Sequence, residues 1–145
     1  MTASDLILPG LQDPDALPFW EGTGRGELLV QTCADCGRRR MPPRPMCFAC
    51  RSLGARWVAS SGRGTVWSFV VVHPPLLPAY AAQAPYNVIV VALAEDPAIR
   101  FVGNLVASAD GRLDEIDAAT IRIGEPVRVV FSRVEDVALP RWVRA

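Results

Sequence analysis

The stretch CADCGRRRMPPRPMCFAC, Cys33 to Cys50, holds every cysteine of the chain as two CxxC pairs with ten residues between them. Its reading decides the fold, because the four thiols are a redox site, a pair of disulfides or a metal staple. A redox pair of the thioredoxin kind wants CxxC at the start of a helix inside a βαβ unit, and no such unit surrounds these residues. Paired cysteines in a reducing compartment point to metal before structural disulfides. Tetrahedral zinc takes four thiolates from two such knuckles at hairpin tips, so Cys33, Cys36, Cys47 and Cys50 are the expected ligands of a structural Zn2+. An iron centre of the rubredoxin kind would use the same four thiolates. Four protein ligands also close the site to a catalytic water.

Working outward, ELLVQT (Glu27 to Thr32) reads as a strand that enters the first pair. Arg38 to Met41 can return as its hairpin partner until Pro42-Pro43 stops it. ARWVA (Ala55 to Ala59) is a further extended segment. Upstream, DPDALPFWEGTGRG (Asp13 to Gly26) predicts a short helix with Asp13 as cap and Pro14 at its first position. Downstream, GTVWSFVVVH (Gly64 to His73), YNVIVVALA (Tyr86 to Ala94), IRFVGNLV (Ile99 to Val106) and VRVVFSRV (Val127 to Val134) are rich in β-branched and aromatic residues, as strands are. A charged stretch from Asp110 to Thr120 predicts one short helix. Four to five strands with one helix between them describe a small Greek-key barrel of the OB kind. The chain is thus mainly β, and divides into an N-terminal helical segment (1–26), a zinc ribbon (27–60) and an OB-fold barrel with a C-terminal tail (61–145). Ser60 to Gly64 is the joint.

Composition narrows the function. Among 145 residues, fifteen basic and fifteen acidic side chains cancel, which argues against bulk attraction to nucleic acid or to a membrane surface. All fifteen basic residues are arginine, so no lysine Schiff base can form. MTASDLILPG at the N-terminus has no basic region of a leader, and the longest apolar run, Val88 to Ala94, is too short to span a bilayer; a soluble, cytoplasmic protein is expected. With the thiols committed, the inventory of catalytic groups is thin. The single histidine, His73, sits before Pro74-Pro75 without a visible partner, and DEID (Asp114 to Asp117) reads as a solvated face. No serine elbow or phosphate-binding glycine loop is present. The residues describe a binding or scaffold module.

Two further features remain. Six arginines (Arg38, Arg39, Arg40, Arg44, Arg51, Arg56) face one acid, Asp35, between Cys33 and Trp57, so the ribbon stays positive even around a dianionic zinc–thiolate centre. They either solvate the ribbon and its sulfurs or bind an anion, for which the planar guanidinium fork is well suited. The loop HPPLLPAYAAQAPY (His73 to Tyr86) is stiff and apolar, as is Phe19-Trp20, and both suit either the barrel's own rim or a protein interface.

Taken in order, FWE (Phe19 to Glu21), the cysteine stretch, SGRGTVWSFVVVH (Ser61 to His73), GNLV (Gly103 to Val106) and IGEPVRVVF (Ile123 to Phe131) resemble the zinc-ribbon/OB-fold proteins that accompany thiolases, long catalogued as a domain of unknown function. The likeness covers nearly the whole chain. It implies a rubredoxin-like ribbon, an OB barrel and partnership with a thiolase-superfamily (lipid-transfer-protein-like) subunit that carries the catalytic residues, in a heterotetramer. Such assemblies include steroid side-chain aldolases, archaeal thiolase–hydroxymethylglutaryl-CoA synthase complexes and phloroglucinol acyltransferases. The chain is then expected to have no turnover alone and to serve an aldolase acting on a β-hydroxyacyl-CoA. Under this resemblance Arg38, Arg40 and Arg44 would face the nucleotide end of the CoA thioester, and Phe19, Trp20, Leu76, Leu77 and Tyr80 the partner. A single-stranded nucleic-acid binder stacking bases on Trp57, Trp67 and Phe69, or a free-standing acyl-CoA carrier, are the rival readings.

Overall fold

Strand β1 (Leu29–Cys33) is buried at every residue. It lies between β2 (Arg39–Arg40) and β3 (Ala55–Ala59) in an antiparallel sheet of order β2-β1-β3. The register runs Gln31↔Arg40 on one side and Leu29↔Ala59 to Cys33↔Ala55 on the other. The hairpin partner and the third strand therefore stand where the sequence puts them. This computed structural model describes residues 6–145; residues 1–5, the start of the N-terminal stretch read above, lie outside the described residues.

Helix α1 (Leu17–Gly24) begins later than expected. Asp13 does not cap it: the Asp13 Oδ1 accepts from the Asp15 amide at 3.0 Å and its carbonyl accepts from Ala16 and Leu17, closing a turn that leads into the helix. Pro18, not Pro14, is the proline of the first turn. The helix lies so close to β1 that a Cβ on Gly22 would meet the Leu29 Cγ at 2.6 Å, so only glycine fits there.

The remaining strands are β4 (Arg63–Val72), β5 (Tyr86–Leu93), β6 (Arg100–Gly103), β7 (Pro126–Val134) and β8 (Val137–Arg144). They form one antiparallel sheet of order β6-β5-β4-β7-β8. Strand β4 bends at an irregularity between Val66 and Ser68, pairing with β5 along its length and with β7 only at Arg63–Thr65. Its Gly64 lets β5 approach, since a Cβ there would lie 2.6 Å from the Val91 Cγ1. The sheet then nearly closes on itself. Leu105, just past β6, bridges Trp142 of β8 in parallel, with Val106 N–H donating to the Trp142 carbonyl at 2.8 Å and Trp142 N–H to the Asn104 carbonyl at 3.0 Å. Five strands closed by a parallel contact between the third and the fifth are the OB arrangement.

Two expectations are corrected. The C-terminal tail is strand β8, paired with β7 from Val134↔Val137 to Val127↔Arg144. The stretch Asp110 to Thr120 contains only a single 3-10 turn, Ala118–Thr120. There Asp117 Oδ1 accepts from the Ala119 amide at 2.9 Å and Asp114 pairs with Arg112, local bonds that compete with a helix. The loop from His73 to Pro85 carries one turn of helix, α2 (Pro78–Ala81).

One apolar core runs through all three parts. Phe19 of α1 stacks on Phe101 of β6 at 6.0 Å, and Phe101 meets Trp142 of β8 at 6.4 Å. Leu28, Val30, Val66, Ile89, Val91, Leu93, Ile99, Leu105, Ile121 and Val127 complete the cluster. A smaller cluster, Val106, Leu113 and Val143, sits under Tyr80 and Tyr86. No helix among the described residues is long and apolar enough to cross a membrane.

Candidate metal centre and neighbouring clefts

Two matching knuckles hold the cysteines. In the first, Cys33 N–H donates to the Arg38 carbonyl and Gly37 N–H to the Cys33 carbonyl; in the second, Cys47 N–H donates to Ser52 and Arg51 N–H to Cys47. Both turns require a left-handed residue, supplied by Gly37 (φ 74°) and by Arg51 (φ 65°). The four sulfurs lie within 4.8 Å of one another, and the pairs Cys33–Cys50 and Cys36–Cys47 are 3.6 Å apart. A tetrahedron with Zn–S bonds of about 2.3 Å has edges of about 3.8 Å, so the set fits a four-thiolate metal. Cys33 and Cys47 are buried while Cys36 and Cys50 reach the surface.

Two of the thiols, Cys33 and Cys47, are electrostatically favoured as thiolates. The Cys36 amide holds Cys33 down at about 6, against burial, and the Cys50 and Ala49 amides lower Cys47. Cys50 is different: the Ser52 amide favours its thiolate, but the crowding by Cys33, Cys36 and Cys47 and burial push it up to about 12. Four thiolates cannot share this volume without a cation.

The three arginines singled out from the sequence do line one cleft, of about 390 Å³, with Arg39, Phe48 and Asp96. Their roles differ. Arg38 lies over the Phe48 ring at 5.4 Å. Arg39 is drawn to Asp96 at 3.5 Å, tying the ribbon to the barrel. Arg40 is 4% exposed, so it underlies the cleft without presenting its head to a ligand. Its Nη2 donates to the Arg44 carbonyl at 3.1 Å, while Nε and Nη1 have no acceptor among the described residues. Gln31 clamps the Arg44 backbone, accepting from its amide at 2.8 Å and donating to its carbonyl at 2.9 Å, which leaves the side chain exposed.

The proposed interface residues separate as well. Phe19 is corrected: at 6% exposure, with one face on Phe101, it is core and offers no surface. Trp20, edge-on to Phe19 at 4.9 Å, is half-buried, as are Leu76 and Tyr80, and Leu77 is 54% exposed. His73 stands exposed at the end of β4. Sequence reading missed a second apolar surface, Met46, Phe48 and Leu53 around the second knuckle, all exposed. The signal was in the letters MCFAC, where apolar residues flank thiols that already have a task. Trp67 is half exposed and covered by the Arg100 guanidinium at 3.7 Å.

Two family models match the chain. The ChsH2 rubredoxin-like zinc ribbon domain fits residues 20–54 and the ChsH2 C-terminal OB-fold domain fits residues 57–132. The 3-oxo-4,17-pregnadiene-20-carboxyl-CoA hydratase alpha subunit of Mycobacterium tuberculosis is 35% identical across 93% of this chain, which spans only 42% of that protein. A DUF35 domain-containing scaffold protein of Methanothermobacter thermautotrophicus is 29% identical over 77% of each sequence. Among solved structures, a chain of the Ltp2-ChsH2(DUF35) aldolase superposes with a TM-score of 0.80 and 31% identity, over 94% of this chain and 98% of that one. The OB-fold model alone takes in more than half of the residues, and the chain belongs to the ChsH2 family of zinc-ribbon and OB-fold proteins.

Proposed function

We propose that this chain is a non-catalytic subunit of a heteromeric enzyme acting on CoA thioesters, and that the reaction is an aldolase-type cleavage or formation of a carbon–carbon bond. The observation that carries this reading is the end-to-end match to the ChsH2(DUF35) chain of an aldolase. The hydratase name belongs to a protein of which this chain spans under half, so hydration of an enoyl-CoA is the second reading. In the first reading the acyl-CoA chemistry is the work of a thiolase-like partner in a heterotetramer; in the second it belongs to a hydratase component outside this chain.

Within that assembly the four cysteines hold a structural zinc, whose chemistry is to cross-link the two knuckles. The exposed heads of Arg38 and Arg44, above the buried charge of Arg40, meet the phosphates of CoA. Trp20, Leu76, Leu77 and Tyr80 contact the partner. Co-purification from the native host tests the reading: a thioester-active partner should copurify, retro-aldol release should require both chains, and the isolated chain should be inactive. Arg44→Glu should raise KM for the thioester without loss of assembly, and Leu77→Asp should weaken assembly. A complex that hydrates and does not cleave would favour the second reading. Tight, steeply salt-dependent binding of an oligonucleotide with no partner would overturn both.

A further inference from the structure

On the barrel, away from the cysteines, a cavity of about 340 Å³ opens between α1, the β4–β5 loop and strands β5, β6 and β8. Trp20, Tyr80 and Tyr86 give it aromatic walls, Val102 and Leu139 add apolar ones, and Arg141 is the single charged residue in its lining. That arginine is half-buried and, among the described residues, lacks an ion-pair partner. Its Nη1 donates to the Asn104 Oδ1, and no carboxylate among the described residues forms an ion pair with it. Asn104 is itself oriented, because its Nδ2 donates to the Asn87 carbonyl at 2.6 Å. Among the described residues, that is one of the five N–H donors of a guanidinium, and the rest of the fork has no protein acceptor there. Desolvation already lowers the Arg141 pKa below the ordinary arginine value, with Tyr80 and Tyr86 acting in the opposite sense.

An unpaired, partly desolvated cation is costly until an anion meets it. One positive charge calls for one negative charge. A phosphate dianion or the polyanionic handle of CoA would leave excess negative charge in an aromatic cleft, whereas a carboxylate matches the charge and the bidentate geometry of the fork. The volume is at the small end of ligand cavities, which run from about 300 to 1,000 Å³. We propose that this cavity binds a small monocarboxylate with an apolar body about the size of one ring, its carboxylate on Arg141 and its body against Trp20, Tyr80 and Tyr86. The site is separate from the arginine cleft of the ribbon, but it shares Trp20 and Tyr80 with the surface proposed to meet the partner, so it is read in the isolated chain.

The test is titration of the full, zinc-loaded chain with phenylacetate, its neutral isostere phenylacetamide and the dianion phenyl phosphate, followed by calorimetry or ligand-observed NMR. Phenylacetate should bind at least tenfold tighter than either of the others. Arg141→Gln should remove that preference by tenfold or more. Val102→Trp, at a position 71% exposed and therefore tolerant of a larger side chain, should block the cavity to all three. Circular dichroism and zinc content check folding, and if Arg141→Gln fails to fold, Val102→Trp decides. Equal binding of acid and amide, tightest binding of the phosphate, no binding at all, or undiminished binding in Val102→Trp would each overturn the proposal. So would release of a partner subunit by Arg141→Gln in a chain that ignores phenylacetate, because the arginine would then receive an acidic side chain from the partner.

Discussion

The ribbon and the barrel are both small antiparallel sheets, yet they cohere for different reasons. Barrel strands hide one face completely: Ile89 and Val91 are 0% exposed, Leu93 and Trp142 1%. In the ribbon, four of the five residues of β3 are exposed, and Met46, Phe48 and Leu53 point to solvent. The ribbon has no interior of its own. At one end β1 leans on the barrel core through Val30, and at the other the four thiols gather. Apolar burial explains the barrel, while the outer half of the ribbon depends on what the thiols bind.

The severest way to break this contrast is to remove the metal. Chelation, or Cys36→Ser, should abolish hydrogen-exchange protection in residues 33–56 and leave that of β4 to β8, read by mass spectrometry. If both sheets lose protection together, the two do not differ as described. Next is Trp142→Ala, which should cost roughly 3–5 kcal/mol in urea unfolding and melt both regions, because α1 and β1 rest on the same core. Smaller is Asn87→Ala. Asn87 Nδ2 donates to the Leu105 carbonyl at 2.9 Å and its Oδ1 accepts from the Leu105 amide at 2.7 Å, all of it buried. Its loss should cost roughly 2–4 kcal/mol, by the same assay, with metal content unchanged. The smallest effect sharpens the comparison within the ribbon. Arg51→Gly gives the second knuckle the residue type of the first and should stabilise the metal-bound ribbon by about 1 kcal/mol or less, seen as a small rise in Tm.

Much of this was legible in the letters, for reasons that can be named. The knuckles were readable because ligand spacing is local, and β3 to β7 because β-branched runs leave little choice. Arg38, Arg40 and Arg44 fall in one cleft because they are near neighbours in the chain and Gln31 holds the Arg44 backbone against the ribbon. Strand β8 escaped notice because Pro140 removes a donor and Arg141 and Arg144 interrupt the apolar pattern, while its pairing is set by the tight turn at Glu135 (φ 53°). Phe19 and Trp20 are adjacent and both aromatic, and nothing local says which ring turns inward. The Arg141 cavity was invisible because it is assembled from elements far apart in the chain.

That distance has a kinetic side. The barrel seam joins Leu105 to Trp142, and the stack beneath it joins Phe19, Phe101 and Trp142, drawn from nearly opposite ends of the described chain. Contacts of such separation must meet the entropy of closing long loops before they return anything, which is why sheet proteins of this kind refold in milliseconds to seconds rather than microseconds. The ribbon, a local hairpin pair with its ligands close together, has no such delay. Sealing the seam is therefore expected to lag behind closure of the knuckles, because α1, β6 and β8 must find each other across most of the described chain.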